Sequence, residues 1–359
     1  MTDLIIVLLI ALVFIIVYQI GKTSEFASMI NGQAKAEQRN NRTIATLLVV
    51  FFILGLYGIW KCNEYFKDKM LPIAACKTGE SYDKMFMVTL TVTGIVFFAT
   101  QAVLFWFAYQ YQSSEKRKSA FFFSHDNKLE VIWTTVPAIA MTILVVIGLK
   151  NWFEVTAPAP DNATTVEIVG KQFNWIVRYP GKDNELGVRD FRKINDATNI
   201  LGLDWTDQHN LDDIISQQEL HLVVNKPVKL VIGSRDVIHD VGLPHFRLKM
   251  DAVPGIATTL CFTPSITSDS MKKITGNPDF VYEIACDQLC GKGHYSMRGV
   301  IFVETQEQYD AWMAKQQSYY AQNNPSATPQ PTAAAPAGGP EQAKSPAAKA
   351  KEAPVMMKN

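Results

Sequence analysis

The residues of this chain that are best suited to chemistry lie between positions 286 and 297. There, Cys286, Cys290, His294 and Met297 bring two thiols, an imidazole and a thioether into one short stretch. Soft sulfur together with imidazole suits copper or zinc rather than magnesium or calcium, and a methionine ligand favours copper over zinc. The stretch therefore predicts a metal centre, and a strand-like run at 299–304 follows it.

A further ligand is expected from an earlier strand. The stretch Asp236-Val-Ile-His239-Asp240 ends such a strand-like run, and His239 is the best candidate. His245 follows Pro244 in the same region, but it lacks the preceding Asp-Val-Ile context. The other histidines have no ligand-like spacing and are expected to be surface or hydrogen-bonded side chains.

The residues alone leave several kinds of site open. A mononuclear electron-transfer copper needs only one cysteine, whereas a second cysteine four residues away allows both thiolates to bridge two copper ions. A tetrahedral zinc site would use the same two cysteines and two histidines, but it would give Met297 no task. A disulfide between Cys286 and Cys290 would leave the clustered histidines and the methionine without a reason. Binuclear copper accounts for the most residues.

The pattern C-x-x-x-C-x-x-x-H-x-x-M, with D-V-I-H and K-M-D-A-V-P-G upstream, resembles subunit II of the haem-copper cytochrome c oxidases. This resemblance runs from about residue 85 to 315. It implies a cupredoxin fold with a binuclear copper centre, CuA. The implied side-chain ligands are His239, Cys286, Cys290, His294 and Met297, and Gln288 gives its main-chain carbonyl.

Gln288 departs from a common family pattern. Many relatives have glutamate at this position, and its carboxylate also helps to hold a magnesium ion at the interface with subunit I. An amide side chain leaves magnesium binding by this chain uncertain.

The resemblance implies the electron-transfer subunit of a terminal respiratory oxidase. The donor would be a cytochrome c or a haem c domain of a larger complex, and the acceptor would be haem in subunit I, which reduces oxygen to water. Two other functions remain open, namely a membrane-anchored copper-delivery protein and a zinc-stabilised membrane scaffold. A quinol oxidase subunit II is disfavoured because such proteins lack the copper ligands.

Four apolar runs without Asp, Glu, Lys or Arg precede the metal-binding region, at 4–20, 44–60, 85–108 and 131–149. Each is close to the ~20 residues needed to cross a bilayer. They predict four transmembrane helices. The first run lacks the basic start of a signal peptide and is expected to be retained.

Relatives generally have two helices, which correspond here to the third and fourth. The predicted organisation is therefore two additional helices at 1–61, a connecting loop at 62–83, a transmembrane hairpin at 84–150, a copper domain at 151–320 and a disordered Pro/Ala-rich tail at 321–359. The resemblance implies a bacterial inner-membrane protein whose copper domain is periplasmic.

From residue 162 onward, short β-branched runs separated by turn residues predict an antiparallel β-sandwich. Residues 181–218 do not fit a tight hairpin and indicate an insertion. Carboxylates outnumber Lys and Arg between residues 162 and 315, so an acidic face that steers a basic cytochrome c is expected. No basic stripe suggests a nucleic-acid partner.

Three further roles follow from the sequence or the resemblance. Cys62 and Cys76 lie between the second and third helices, in the predicted oxidising compartment, and are expected to form a disulfide. The resemblance places Glu130 at the mouth of a proton pathway. It also places Phe173 at the surface position through which electrons arrive, and Trp175 is expected to face the same side.

Overall fold

The computed structural model describes residues 2–67, 69–113, 119 and 122–324. Four long helices form the N-terminal part, and ten strands form a C-terminal β-domain. The disordered tail was predicted from residue 321, but the helix Tyr319–Asn323 extends into it, and the tail lies outside the described residues from position 325 onward.

The helices of the N-terminal part are α1 (Thr2–Asn31), α2 (Gln33–Phe66), α3 (Lys77–Gln110) and α4 (Asn127–Thr156). Among the described residues, α2, α3 and α4 are long and apolar enough to cross a membrane. The structure thus supports three of the four predicted spans, and a span by α1 stays a prediction. The connector between α2 and α3 is shorter than 62–83, because α2 continues to Phe66.

Polar side chains within these helices bond to the helices themselves or to each other. Thr89 and Thr142 donate their hydroxyls to the main-chain carbonyl four residues earlier, as expected where water is scarce. The Ser81 hydroxyl donates to the Asn151 amide oxygen of α4 at 3.0 Å, which joins α3 to α4. Phe52 of α2 packs on Phe105 of α3 with ring centroids 5.2 Å apart, so the additional helices contact the hairpin.

The β-domain is a sandwich of two five-stranded sheets, ordered β3-β2-β1-β5-β8 and β4-β10-β9-β6-β7. The strands are β1 Thr164–Lys171, β2 Asn174–Tyr179, β3 Ile214–Gln217, β4 Glu219–Val223, β5 Val228–Ser234, β6 His239–Leu243, β7 Leu248–Ala252, β8 Thr258–Phe262, β9 Tyr282–Cys286 and β10 Arg298–Glu304. The predicted sandwich is confirmed. The sheets are mixed rather than antiparallel throughout, because β1 pairs with β5, and β4 with β10, in parallel.

The insertion predicted at 181–218 is folded against the outer face of the first sheet. Val169 and Ile176 of that sheet pack with Ile200, Leu201 and Leu203 in a small buried cluster. The insertion also supplies β3, which pairs with β2. It is therefore an ordered layer of the domain and not a solvated loop.

A buried arginine ties this layer to the sandwich. Arg178 of β2 is only 1% exposed and donates to Glu167 of β1 at 3.0 Å. Its other donors bond Asp213, at 2.7 Å from Nε, and Asn210, at 2.6 Å from Nη2. Because buried charges need partners, the two carboxylates and the guanidinium hold the insertion in one position.

The membrane part joins the β-domain through the connector. The Ala75 amide donates to the His245 carbonyl at 2.7 Å, and the Ala75 carbonyl accepts from Ser265 at 2.8 Å. Arg247 donates to both carboxylate oxygens of Asp83 near the start of α3, at 2.7 and 2.9 Å. His245 thus lies at this joint and not at the predicted metal centre.

The predicted disulfide between Cys62 and Cys76 is not formed, and both are free thiols. Cys62 lies on α2 and is exposed, whereas Cys76 is completely buried. The Cys76 sulfur caps α3 by accepting from the Gly79 amide at 3.2 Å, and its thiol donates to the Phe246 carbonyl. Burial raises the pKa of Cys76 to about 11, so this thiol serves as a structural cap.

We expect Arg178→Met to destabilise the β-domain by about 3–5 kcal/mol, because Asp213 would remain buried without a cationic partner and Glu167 would keep only Arg189, at 2.8 Å. The measurement is urea unfolding of the full-length chain in detergent, followed by hydrogen exchange of the β1 and β2 amides. The control is Arg298→Met, since Arg298 is 64% exposed and lies 3.5 Å from Glu283; a change below about 1 kcal/mol is expected. Equal effects of the two substitutions would contradict the role of Arg178.

Candidate metal centre

The predicted ligands come from two strand ends and the loop between β9 and β10. His239 is the first residue of β6, and Cys286 is the last residue of β9. Residues 287–297, here called the copper loop, run from β9 to β10. Cross-strand pairing of Val241 with Cys286 places the start of β6 beside the end of β9, so residues distant in sequence meet at one edge of the second sheet.

Within this site each thiol lies near one histidine. The Cys286 sulfur is 3.9 Å from His239 Nδ1, and the Cys290 sulfur is 3.7 Å from His294 Nδ1. Cys286 also donates to the Gln288 carbonyl at 3.2 Å, while the Met297 sulfur is 3.9 Å from that of Cys290. The site therefore has two similar halves, each with a thiol, an imidazole and a weaker donor.

The two cysteine sulfurs lie 3.7 Å apart, well beyond the ~2.05 Å of a disulfide bond. The donor set fits two copper ions that share both thiolates. The imidazoles of His239 and His294, the Met297 sulfur and the Gln288 carbonyl would complete the ligand set. His239, Cys286 and Cys290 also form the one group of His, Cys and acidic residues in the described part of the chain whose ligand atoms converge as for a metal ion.

The site is largely closed to water. His239 is fully buried, Met297 is 1% exposed and Cys290 is 5% exposed. Burial, together with the neighbouring Cys286 thiol, raises the pKa of Cys290 to about 11. Since thiolates and not thiols bind metal, loading the site must release protons.

The orientation of His239 is set by its surroundings. Its Nε2 lies 2.8 Å from a carboxylate oxygen of Asp236, which leaves Nδ1 directed at Cys286. The ring also lies against Gly170, where an added Cβ would come within 2.5 Å of it. A carboxylate that holds the second nitrogen of a ligand histidine is a common feature of metal sites.

The turn between β1 and β2 clamps the copper loop. Gln172 donates from its side-chain amide to the Cys290 carbonyl at 2.7 Å, and its main-chain amide donates to Asp236 at 2.7 Å. The Phe173 ring packs on Gly291 and Gly293; a Cβ at position 293 would lie 2.5 Å from that ring. The sequence did not predict that Gln172 and Phe173 support the copper loop. The signal that could have indicated it is the pair of glycines at 291 and 293, which allow a ring to pack closely on the loop.

The expectation that Trp175 faces the surface beside Phe173 is wrong. Residues 172–173 form the turn and β2 begins at Asn174, so alternation along a strand does not apply across them. Trp175 is completely buried, with its ring centroid 5.9 Å from that of His239. Phe173 is partly exposed.

Glu130 lies in the first turn of α4, where Asp126 caps the helix by accepting from two amides. A Glu130 carboxylate oxygen is 3.1 Å from Nδ1 of His125, and the Glu130 side chain is 42% exposed. These contacts do not test the proton role of Glu130, which stays a prediction.

The histidines that were expected to be surface or hydrogen-bonded side chains include His209 and His221. Each has a carboxylate neighbour, Asp183 at 2.7 Å and Glu304 at 3.0 Å.

We expect Gly170→Ala to lower copper loading and alter its spectrum, because the new methyl group would displace the His239 ring. The matched control is Gly233→Ala on β5, the strand beside β1, where an added Cβ would meet only Arg189 at 3.5 Å. Copper content and the paramagnetic resonance spectrum are the measurements. Unchanged copper in the position 170 variant would contradict the packing role of that glycine.

Two family models match the chain. The cytochrome c oxidase subunit II periplasmic domain matches residues 164–304, and the subunit II transmembrane domain matches residues 64–151. The second match covers α3 and most of α4, whereas α1 and nearly all of α2 precede it. The chain is thus membrane-anchored, with a periplasmic β-domain.

Curated relatives agree with the family models. The chain is 35% identical over 240 residues to the alternative cytochrome c oxidase subunit 2 of Bradyrhizobium diazoefficiens, covering 66% of this chain and 80% of that protein. It is 23% identical over 319 residues to cytochrome c oxidase subunit 2 of Thermostichus vulcanus, covering 74% of this chain and 83% of that protein.

A solved structure is also similar in sequence. The periplasmic domain of subunit II of cytochrome oxidase (CoxB) of Bradyrhizobium japonicum is 25% identical, covers 44% of this chain and 95% of that chain, and has a TM-score of 0.30. On the family models and the curated relatives, the chain belongs to the cytochrome c oxidase subunit II family and is part of an oxidoreductase complex.

Proposed function

We propose that this chain is the CuA-containing electron-transfer subunit of a terminal respiratory oxidase in a bacterial inner membrane. The observation that carries the proposal is the pairing of each cysteine sulfur with one imidazole, at 3.9 and 3.7 Å, around two thiols 3.7 Å apart. When bound there, a copper pair supplies one-electron transfer between a cytochrome c type donor and haem in subunit I. The oxygen chemistry belongs to the partner subunits.

The work of this chain is to hold the ligands in place and to exclude water. Asp236 orients the His239 ring, and Gln172 holds the Cys290 carbonyl. Both contacts are made by groups of the protein itself, so the ligands are positioned by the fold. A rigid, dry environment is the main contribution that a protein makes to a redox cofactor.

The alternatives fit the site less well. A zinc scaffold needs four strong ligands in a tetrahedron and would not need the Met297 sulfur, which lies 3.9 Å from Cys290 and is almost completely buried. A copper-delivery protein needs an exchangeable site, whereas His239 is completely buried here.

Two further parts of the proposal rest on the family resemblance. Glu130, exposed beside His125 at the start of α4, would collect protons from the cytoplasmic side. Gln288 contributes its carbonyl to the copper, and its amide side chain offers a poorer magnesium ligand than a carboxylate, so we do not assign magnesium to this chain. Subunit I and the other oxidase subunits are the partners.

We expect Cys286→Ser or Cys290→Ser to abolish the binuclear site, because each thiolate binds both ions and a hydroxyl is a poor soft ligand. Met297→Leu is the milder comparison, and it should retain copper with a changed reduction potential. Metal analysis combined with optical and paramagnetic resonance spectra is the measurement. Two coppers per chain and an unaltered spectrum in a Cys286→Ser protein would contradict the bridging assignment, whereas zinc in the wild-type site would contradict the function.

We expect Phe173→Ala to slow reduction of the copper by the donor several-fold, because it removes the partly exposed ring that touches the copper loop. Stopped-flow reduction is the measurement, together with a copper spectrum that must remain unchanged. Phe191→Ala is the control, since Phe191 is 74% exposed on the insertion. Slowing by the Phe191 change alone would place the arrival of electrons on the insertion.

A further inference from the structure

The copper loop has two sides, which contact different parts of the domain. On one side the Phe173 ring packs on Gly291 and Gly293. On the other side Asp287 lies against β6, where a Cβ at Gly242 would come within 2.2 Å of its carboxylate. The charged residues around the site therefore fall into two groups, one near β6 and one near Phe173.

The side next to β6 and β7 is acidic. Asp240 of β6 is paired across the strands with Asp251 of β7, and the Asp287 carboxylate interacts electrostatically with Asp240. The countercharge is Lys249, 3.7 Å from Asp240.

The side that carries Phe173 is richer in cations. Lys292 is exposed and lies between the two glycines that touch the Phe173 ring. Lys171 precedes the turn, and Arg235 donates its main-chain amide to the Gly170 carbonyl at 3.0 Å. The acidic residues here are Asp196, which bonds both Lys171 and Arg235 at 2.8 Å, and Asp236, which bonds Gln172 and His239.

The acidic excess of the domain lies in the insertion. Residues 162–315 hold 20 carboxylates and 16 Lys and Arg, and the insertion alone holds eight carboxylates and four Lys and Arg. The rest of the domain is therefore balanced, with twelve of each. Of the insertion's carboxylates, Asp196 is the one that bonds Lys171 and Arg235 on the Phe173 side of the copper loop.

Most of the insertion's acidic residues are engaged in internal bonds. Seven of the eight carboxylates accept a hydrogen bond from a group within the β-domain. A bond from Lys193, with others from Thr206, lowers the pKa of Asp204 to about 2. These carboxylates therefore help to hold the layer together.

We propose that the electron donor of this oxidase docks on the Phe173 side of the copper loop through an acidic haem-edge surface, with Lys292 as its principal charged contact. This inference rests on the proposed function and names the chemistry of its donor. The occupant is a haem protein whose surface around the haem edge carries Asp and Glu. It is not a cytochrome c ringed by lysines.

The physical argument is charge complementarity. Lys292 is free to face a partner, since it is exposed at the tip of the loop, whereas Lys171 and Arg235 are held beside it by Asp196. An exposed charge mainly affects the rate of encounter and its dependence on salt. Because the Debye length is ~8 Å at physiological salt, Lys292 acts on a partner only within this local surface.

The test uses the purified oxidase complex that contains the full chain. The probes are a lysine-rich mitochondrial cytochrome c and the same protein with its lysines succinylated, so that the haem protein is the same and the surface charge is reversed. Binding of the oxidised forms is measured by calorimetry at low ionic strength, and reduction of the copper by the reduced forms is measured by stopped flow. We expect the succinylated form to bind about tenfold more tightly and to react faster, with both advantages lost at high salt.

The variant is Lys292→Glu, which should reverse this preference by favouring the unmodified, basic probe. The matched control is Lys273→Glu on the helix Ser268–Thr275, which makes the same change in net charge. That helix lies at the far end of β10, where the Ser268 hydroxyl accepts from the Val303 amide, and its variant should keep the wild-type preference.

The outcomes separate this inference from the proposed function. A wild-type complex without a binuclear copper spectrum would defeat the function itself. A normal copper spectrum with tighter binding of the basic probe, or with a preference that Lys292→Glu leaves unchanged, would overturn the acidic donor alone. Equal effects of the Lys292 and Lys273 variants would also overturn it, because the preference would then reflect net charge.

Discussion

The metal centre depends on one carboxylate that joins its two halves. Asp236 accepts from the main-chain amide of Gln172 with one oxygen, and its other oxygen lies within bonding distance of Nε2 of His239. The same glutamine holds the Cys290 carbonyl through its side chain. A ligand on β6 and a ligand in the copper loop are thus positioned by a single turn of the other sheet. Charge-assisted hydrogen bonds of this kind are both strong and directional.

The rest of the sandwich makes that turn rigid. Gly170 allows β1 to approach the His239 ring, and the glycines at 291 and 293 allow the copper loop to approach Phe173. Behind the turn, Asp196 and the Ile200 carbonyl accept from Arg235, so the insertion supports the residue that precedes Asp236. The insertion is therefore linked to the copper ligands through two residues. Its buried ion pairs with Arg178 keep this support in one place.

The membrane part and the β-domain are joined at the end of the sandwich opposite the copper loop. Arg247 reaches Asp83 at the start of α3, and the connector lies between His245 and Ser265. The copper loop itself has two sides, one next to β6 and one next to Phe173. One side is acidic and the other carries Lys292 beside Phe173, so the two sides suit partners of different charge.

Local pattern predicted much of this architecture. The β-branched runs at 164–169, 220–224, 228–232, 281–284 and 299–304 predicted β1, β4, β5, β9 and β10, and the run at 172–177 predicted β2 two residues too early, because alternation and turn residues are local signals. Strands β3, β7 and β8 were not predicted, since their patterns are short and their pairing is with distant strands. The bounds of α2 also differed, because the apolar run ends before the helix does.

The types and spacing of Cys286, Cys290, His294 and Met297 were enough to predict a soft-metal site, since ligand chemistry is a property of the side chains. Tertiary structure alone decided which residues support them. Phe173 and Trp175 are two positions apart, yet one lies in a turn and the other is buried in the core, because the strand begins between them. Cys76 has a cysteine within reach in sequence, but packing buries its sulfur as a helix cap. Such outcomes depend on contacts between distant segments, which sequence spacing does not encode.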